Sequence, residues 1–409
     1  MSKHLLILLL AAIVSAGCHH TVETENPQPL QARSFAQQWA TVLSGTDDNP
    51  ITAVHLSDQF VFAYRQDGSS TVMDRQTGRL LHVDHPEGGQ VRLHPPVVLG
   101  DRIIYPTTDR LEVFDLQGRY VEHPARSSDY GVKPVSQRLP FAVRSDAVGQ
   151  GKYLFFGADF EGGGRGVEVD LTRPYVPAVW ELMMAGSAVS AAPALSKDAV
   201  YFAADNGSVQ AVTIDGREPL WTLPGGTFRT GGVIANLADD QTSLYIASTD
   251  SKLYCLNKAN ARLKWQFFGG DALRTPPVVT KDTVYQYVPG TGLVAIDKNA
   301  TGNPGMNREA RWVAGDAVKY LAEDNVNVYA LSRDHHLLAV DKHTGHTRFT
   351  SKRKDLVGAA TSTKGDGMIY IATGTGRVLA ARPVLQTGSV GEIVLVPVSK
   401  GMDALAMAQ

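Results

Sequence analysis

The sequence predicts an all-β chain, an eight-bladed β-propeller of four-stranded antiparallel blades whose ring is closed by its N-terminal strand. Three observations lead there. A hydrophobic-aromatic pair recurs eight times, at Val61-Phe62, Ile104-Tyr105, Leu154-Phe155, Val200-Tyr201, Leu244-Tyr245, Val284-Tyr285, Val328-Tyr329 and Ile369-Tyr370, at intervals of 40 to 50 residues. In six copies a fixed step of twelve residues leads from the aromatic to the end of the next strand, at Asp74, Thr213, Asn257, Asp297, Asp341 and Arg382. Finally, Trp39 has no preceding copy, while the eighth copy runs into Pro383 without a tryptophan strand of its own. A period of this length marks a repeat architecture, in which each unit buries its faces against its neighbours.

The unit is clearest at Ser243–Trp265 and Thr283–Trp312. Each holds an apolar-aromatic strand, a polar turn, a second apolar strand, an Asp or Asn, another turn and a Trp. Alternation in both strands suits half-buried β-structure. The shorter copy at Tyr105 reaches Asp115, and the longer one at Phe155 reaches Asp170. Thr-Gly pairs follow at Thr77-Gly78, Thr301-Gly302 and Thr344-Gly345, where glycine supports a tight turn. If the aromatic pair marks the second strand of a blade, the outermost strand carries the Trp. Trp221 and Trp265 lie eight residues past Thr213 and Asn257, and His82 and Phe349 take the same offset after Asp74 and Asp341. Trp180 and Trp312 follow longer turns. These five tryptophans, Trp39, Trp180, Trp221, Trp265 and Trp312, read as blade-packing residues rather than a ligand stack. The two defects of the pattern are complementary. Residues Phe35 to Leu43 can supply the missing outer strand of the last blade, leaving no open end.

Residues 1–17 read as an export signal: Lys3 precedes a ten-residue apolar run, Leu5 to Val14, too short to span a bilayer. Ser15, Ala16 and Gly17 then precede Cys18. This start resembles the lipobox of bacterial lipoproteins, which implies a lipidated Cys18 as mature N-terminus. The alternative is cleavage near Gly17 with an unmodified cysteine. Residues 18–34 are polar with Pro27 and Pro29 and read as a tether; His19 and His20 belong to it, with no third ligand nearby in sequence. The propeller is expected over 35–383. The last stretch, 384–409, is an extension packed on or trailing from it: the β-like run Glu392–Val398 reads as an extra edge strand, and residues 402–409 as a frayed or short helical tail.

Two segments interrupt the period. One is Asp159–Trp180, with the run Glu161-Gly-Gly-Gly-Arg-Gly166 and then Arg173-Pro-Tyr-Val-Pro177; the other is Lys298–Arg311. Insertions of this kind map to edge loops, which often bind, and make Arg165 and Tyr175 candidate partner contacts. The glycine run is no phosphate loop, because it lacks the Lys-Ser/Thr ending and leads into no helix.

Composition narrows the function classes. Lys and Arg total 39 against 41 Asp and Glu, for a net charge of −2 without a basic block, so no nucleic-acid footprint is present. Gly 39 and Pro 21 suit a turn-rich β-chain. Cys18 and Cys255 are the only cysteines; with Cys18 acylated no disulfide forms, and Cys255 reads as a small core hydrophobe. No zinc-protease motif, nucleophile elbow or metal-spaced histidine pair occurs. His335 and His336 are adjacent in a turn and point apart. Asp74, Asp115, Asp170, Asp297 and Asp341 sit at equivalent positions, which marks them as turn caps rather than catalytic carboxylates.

Segments such as DAVYFAADNGSVQAVTIDGREPLW (198–221) and TSLYIASTDSKLYCLNKANARLKW (242–265) resemble the repeats of the pyrroloquinoline-quinone-like β-propeller superfamily, over about residues 35–382. The quinone-binding dehydrogenases of that superfamily carry adjacent cysteines and a Ca²⁺ site; this chain has no Cys-Cys pair. The lipoprotein start, eight repeats and length are closest to the propeller lipoproteins of the outer-membrane β-barrel assembly machinery. That resemblance implies a non-catalytic, cofactor-free scaffold, anchored on the periplasmic face of the outer membrane and monomeric on its own, that docks on the barrel-forming assembly subunit. The absence of Asp directly after Cys18 points to the same membrane. The resemblance places partner contacts at Asp271-Ala272-Leu273 and the adjoining Arg274. The family's second Asp is here Leu273, and its Arg position falls near Ala188. Two other classes stand beside this expectation: a periplasmic quinone-dependent oxidoreductase, and a carbohydrate- or peptide-binding propeller.

Overall fold

The eight aromatic pairs lie in eight separate sheets of a computed structural model. It describes residues 35–45, 48–86, 94–119, 137–160, 163–172, 180–184, 186–214, 217–224, 231–300, 305–351, 355–383 and 395–397, all within the single unit 32–409. Cys18, the tether, Tyr175 and the 402–409 tail lie outside the described residues.

Blade 1 shows the plan: Ile51–Leu56, Phe60–Arg65, Ser70–Asp74 and Leu80–Asp84 pair antiparallel in order. Its two middle strands are buried almost throughout, because each blade is covered on both faces by its neighbours. The outer strand is mostly exposed or half-buried, with only its last residue, Asp84, buried. Apolar β-branched and aromatic side chains therefore concentrate in the second and third strands, which is why the period was visible there.

The ring closes as expected. In blade 8, Leu356–Ala360, Ile369–Thr373 and Arg377–Pro383 are followed by Phe35–Val42, antiparallel, with Phe35 opposite Pro383, Trp39 opposite Ala380 and Val42 opposite Arg377. Eight buried apolar clusters occur among the described residues, one at each boundary between successive blades. The boundary between the last blade and the first holds Trp39, Leu43, Val54, Val61, Met73 and Tyr370.

Four strands per blade is the rule, with three departures. Blade 3 splits its inner strand into Ala142–Val143 and Val148–Gln150. Blade 5 gains Met306–Arg308, which comes from the 298–311 insertion and runs parallel to Leu263–Phe268. Blade 8 gains Leu395–Pro397, parallel to Phe35–Gln37. The added strands cover outer edges that would otherwise expose unpaired backbone groups.

In the other insertion, Gly163 to Gly166 belong to a strand rather than to an edge loop. Tyr153–Phe160 and Gly163–Asp170 form one long hairpin in blade 3. A Cβ on Gly164 would lie 2.1 Å from the carbonyl oxygen of Ser187 in the connection to blade 4. The glycine lets two backbones approach, which explains the composition without any ligand.

Candidate partner-docking face and central channel

The outer-strand aromatics are placed by a recurring β-bulge. The pairing shifts by one residue immediately before Trp39, His82, Trp221, Trp265 and Phe349. A bulge re-aims the following side chain, here toward the next blade. Trp39 Nε1 donates to the Arg75 carbonyl at 3.1 Å, Trp221 Nε1 to that of Lys258 at 2.7 Å, and Trp312 Nε1 to that of Lys342 at 2.7 Å. Within its own blade each ring lies 5.8–6.2 Å from the second-strand tyrosine: Trp39 with Tyr370, Trp221 with Tyr201, Trp312 with Tyr285; Trp265 does the same with Tyr245. Trp180 lies 6.5 Å from Phe202 of blade 4.

The residues receiving these indoles form a clamp. The carboxylate ending the third strand accepts amides of its own turn: Asp74 from Gln76 and Thr77, Asp115 from Gln117 and Arg119, Asp170 from Thr172, Asp297 from Asn299, and Asp341 from His343 and Thr344, at 2.8–3.1 Å. Hydrogen bonds from Thr77 hold the Asp74 carboxyl below the usual range; at Asp341 burial pushes upward, but the bond from Arg348 and the turn amides outweigh it. The next residue is basic in blades 1, 5, 6 and 7, as Arg75, Lys258, Lys298 and Lys342. Lys258 Nζ lies 2.6 Å from Asp239 Oδ2, Lys298 Nζ 3.3 Å from Asp240 Oδ2, and Lys342 Nζ 3.2 Å from Glu323 Oε1. Arg75 is buried and donates to Ser57 O at 2.6 Å, Tyr370 Oη at 3.1 Å and Ser362 Oγ at 3.2 Å. Sequence reasoning missed this basic position, although four of the repeats display it one place after the Asp or Asn that ends the third strand.

The predicted contact residues fall into distinct settings. Asp271 and Arg274 are exposed in the connection between blades 5 and 6, beside Phe268, which is 60% exposed. Leu273 between them is fully buried in the blade 5–6 core, so it anchors the loop and offers no surface. Arg165 is half-buried, 3.7 Å from Glu181 of the neighbouring strand. Asp271 and Arg274 thus share one connection, and Arg165 lies apart in blade 3. Cys255 is buried, and burial pushes its thiol up to about 11, which matches a packing role.

Inner strands and connections enclose a channel pocket of about 590 Å³. Asp146 accepts from Asn236 Nδ2 at 2.7 Å and pairs with His94 Nδ1 at 2.9 Å. His55 packs edge-on against Tyr64, 4.7 Å between centroids, and burial pushes its imidazole down to about 4. Lys319 Nζ donates to Ala359 O at 2.6 Å, and burial lowers its pKa. These residues come from blades far apart in the chain, and no local motif could have joined them. The set does not fit a Ca²⁺-bound quinone. Among the described residues no three His, Cys, Asp or Glu side chains are grouped to hold a metal, and both oxygens of Asp146 are already engaged.

With this geometry the chain is an eight-bladed β-propeller, and in structure it resembles BamB. Residues 205–304 match the family model described as outer membrane protein assembly factor BamB. The crystal structure of BamB from Moraxella catarrhalis is 15% identical, with 87% of this chain and 99% of that chain covered and a TM-score of 0.62. Quinohemoprotein alcohol dehydrogenase from Comamonas testosteroni is 12% identical, with 87% and 78% covered and a TM-score of 0.59. The C-terminal WD40 domain of Sif2 is 11% identical, with 87% and 99% covered and a TM-score of 0.58. At such identities these likenesses show the fold alone. No curated protein is significantly similar in sequence. No helix among the described residues is long and apolar enough to cross a membrane.

Proposed function

We propose that this chain is a non-catalytic scaffold, anchored through lipidated Cys18 on the periplasmic face of the outer membrane, that binds a protein partner in the assembly of outer-membrane β-barrels. The observation carrying this reading is the match of residues 205–304 to the BamB family model, in a propeller that aligns with nearly the whole length of a BamB structure. The matched stretch contains the exposed Asp271, Arg274 and Phe268 on rigid supports, the arrangement a docking surface needs. Tyr175 and Arg165 are secondary contacts in the same reading. A ring cemented at every blade boundary presents its loops without reorganising, which lowers the ordering cost of binding.

The test is capture from detergent-solubilised outer membranes with the tagged full-length protein. Recovery of the barrel-forming assembly subunit by wild type, and its loss with Arg274→Glu, is expected; recovery of no assembly subunit overturns the role. A quinone-dependent oxidoreductase draws support from the fold's likeness to the quinohemoprotein dehydrogenase, but the channel residues do not favour it. Addition of pyrroloquinoline quinone and Ca²⁺ to the purified protein should give no dye reduction.

A further inference from the structure

We propose that the central channel is a binding site for a small carboxylate with an apolar body, its anionic end on Lys319 Nζ and its body against Leu331 and Val357.

The channel is lined by a lysine, Lys319, with no acid paired to it among the described residues. Lys319 belongs to the inner strand Ala317–Glu323 of blade 7. Among the described residues its ammonium meets one carbonyl oxygen, that of Ala359 at 2.6 Å, and no carboxylate within ion-pair distance. Two of its three N–H donors are left for another acceptor. The lysines of the blade clamps differ: Lys258, Lys298 and Lys342 each have an acid within 3.3 Å. Asp146, the channel acid, is held on both oxygens by His94 and Asn236. Burial already lowers the Lys319 pKa, so the surroundings disfavour its charge until an anion arrives.

The space and walls select the ligand. The pocket of about 590 Å³ lies within the range of about 300–1,000 Å³ usual for small-molecule sites. Leu331, Leu356 and Val357 line it together with Lys319 and His55. Val357 is 43% exposed, an apolar side chain left facing the channel. His55 is neutral at pH 7 and makes no hydrogen bond to protein through its ring among the described residues, so it can donate to a second carboxylate oxygen. A cation with spare donors, a neutral imidazole and an apolar wall match a carboxylate on a short hydrocarbon or on a chain terminus. They do not match a polyanion, for which one cation is too few.

Calorimetric titration of the full-length purified protein with hexanoate, and separately with N-acetyl-glycyl-valine, tests the site against the corresponding uncharged amides. At least one acid should bind, and its amide should bind about tenfold more weakly, the scale of one charge-assisted hydrogen bond. Lys319→Gln should lower acid affinity by a similar factor, and Lys319→Arg should retain it. Val357→Glu, on an exposed side chain, should abolish acid binding with an unchanged melting temperature. Hexanoate binding alone points to a free small acid; tighter peptide binding points to a chain terminus. Binding of neither acid, equal binding of acid and amide, or full affinity in Lys319→Gln overturns the proposal.

Discussion

Trp39 donates its indole N–H to the carbonyl oxygen of Arg75 at 3.1 Å, joining the first strand of the chain, seated in blade 8, to the third-strand turn of blade 1. Arg75 returns the contact: its guanidinium lies 4.9 Å from the ring centre of Tyr370 and donates to that tyrosine and to Ser362, both in blade 8. The two ends of the propeller are thus fastened by side chains from both sides of one boundary.

Trp39→Ala removes a buried indole and its hydrogen bond, and should cost about 3–5 kcal/mol. Urea unfolding is the measurement. Arg75→Gln should cost about 2 kcal/mol, because buried hydroxyl and carbonyl partners lose a charged donor. The residues touch, so the double variant should cost less than the sum. Strict additivity would show that the two do not act on one boundary.

Gly78 accepts the Trp39 ring. A Cβ there would lie 2.3 Å from the indole, at a backbone φ of +70°. Gly78→Ala should therefore destabilise by more than about 1 kcal/mol. Gly164→Ala, facing the Ser187 carbonyl at 2.1 Å, should also destabilise the fold. Gly315→Ala, whose nearest neighbour would be Thr291 O at 3.7 Å, should leave the melting temperature unchanged.

Acid should weaken the fold in two windows. Burial holds His55 near 4, below its unfolded value of about 6.5. Stability linked to its neutral form is fully present above about 6.5 and is lost as pH falls toward 4. Asp146 favours the charged form and Lys319 opposes it, with burial the larger influence. The capping carboxylates Asp74, Asp115, Asp297 and Asp341 are depressed, so their contribution is present above about 4 and is lost below it. Thermal melts of His55→Gln should lose the first window and keep the second.

Arg274→Glu and Asp271→Lys are exposed changes and should leave stability within about 0.5 kcal/mol. Partner capture should fall in both. Leu273→Asp buries an unpaired carboxylate in the blade 5–6 core and should lower the melting temperature before any effect on binding can be read. Unchanged capture by both surface variants would move the docking face elsewhere on the ring.

The blade period, the count of eight and the closing role of Phe35–Leu43 were legible because they are written in strands buried on both faces, where burial restricts residue type at a fixed spacing. The glycines at 163, 164 and 166 misled for the same reason in reverse: glycine that admits a close backbone looks in sequence like glycine in a loop, and only the approach of Ser187 to Gly164 separates them. Leu273 likewise looked like a surface substitution in a contact motif until its burial placed it in the core.

From its sequence alone this chain is determined to be a closed ring of eight β-blades, because periodic burial leaves a periodic record. The tertiary structure decided which side chains meet across that ring: Arg75 with Tyr370, Asp146 with His94 and Asn236, and Lys319 beside His55 without an acid of its own. Those meetings join residues from different blades through space. Spacing along the chain carries no record of them, because each partner obeys the period of its own blade.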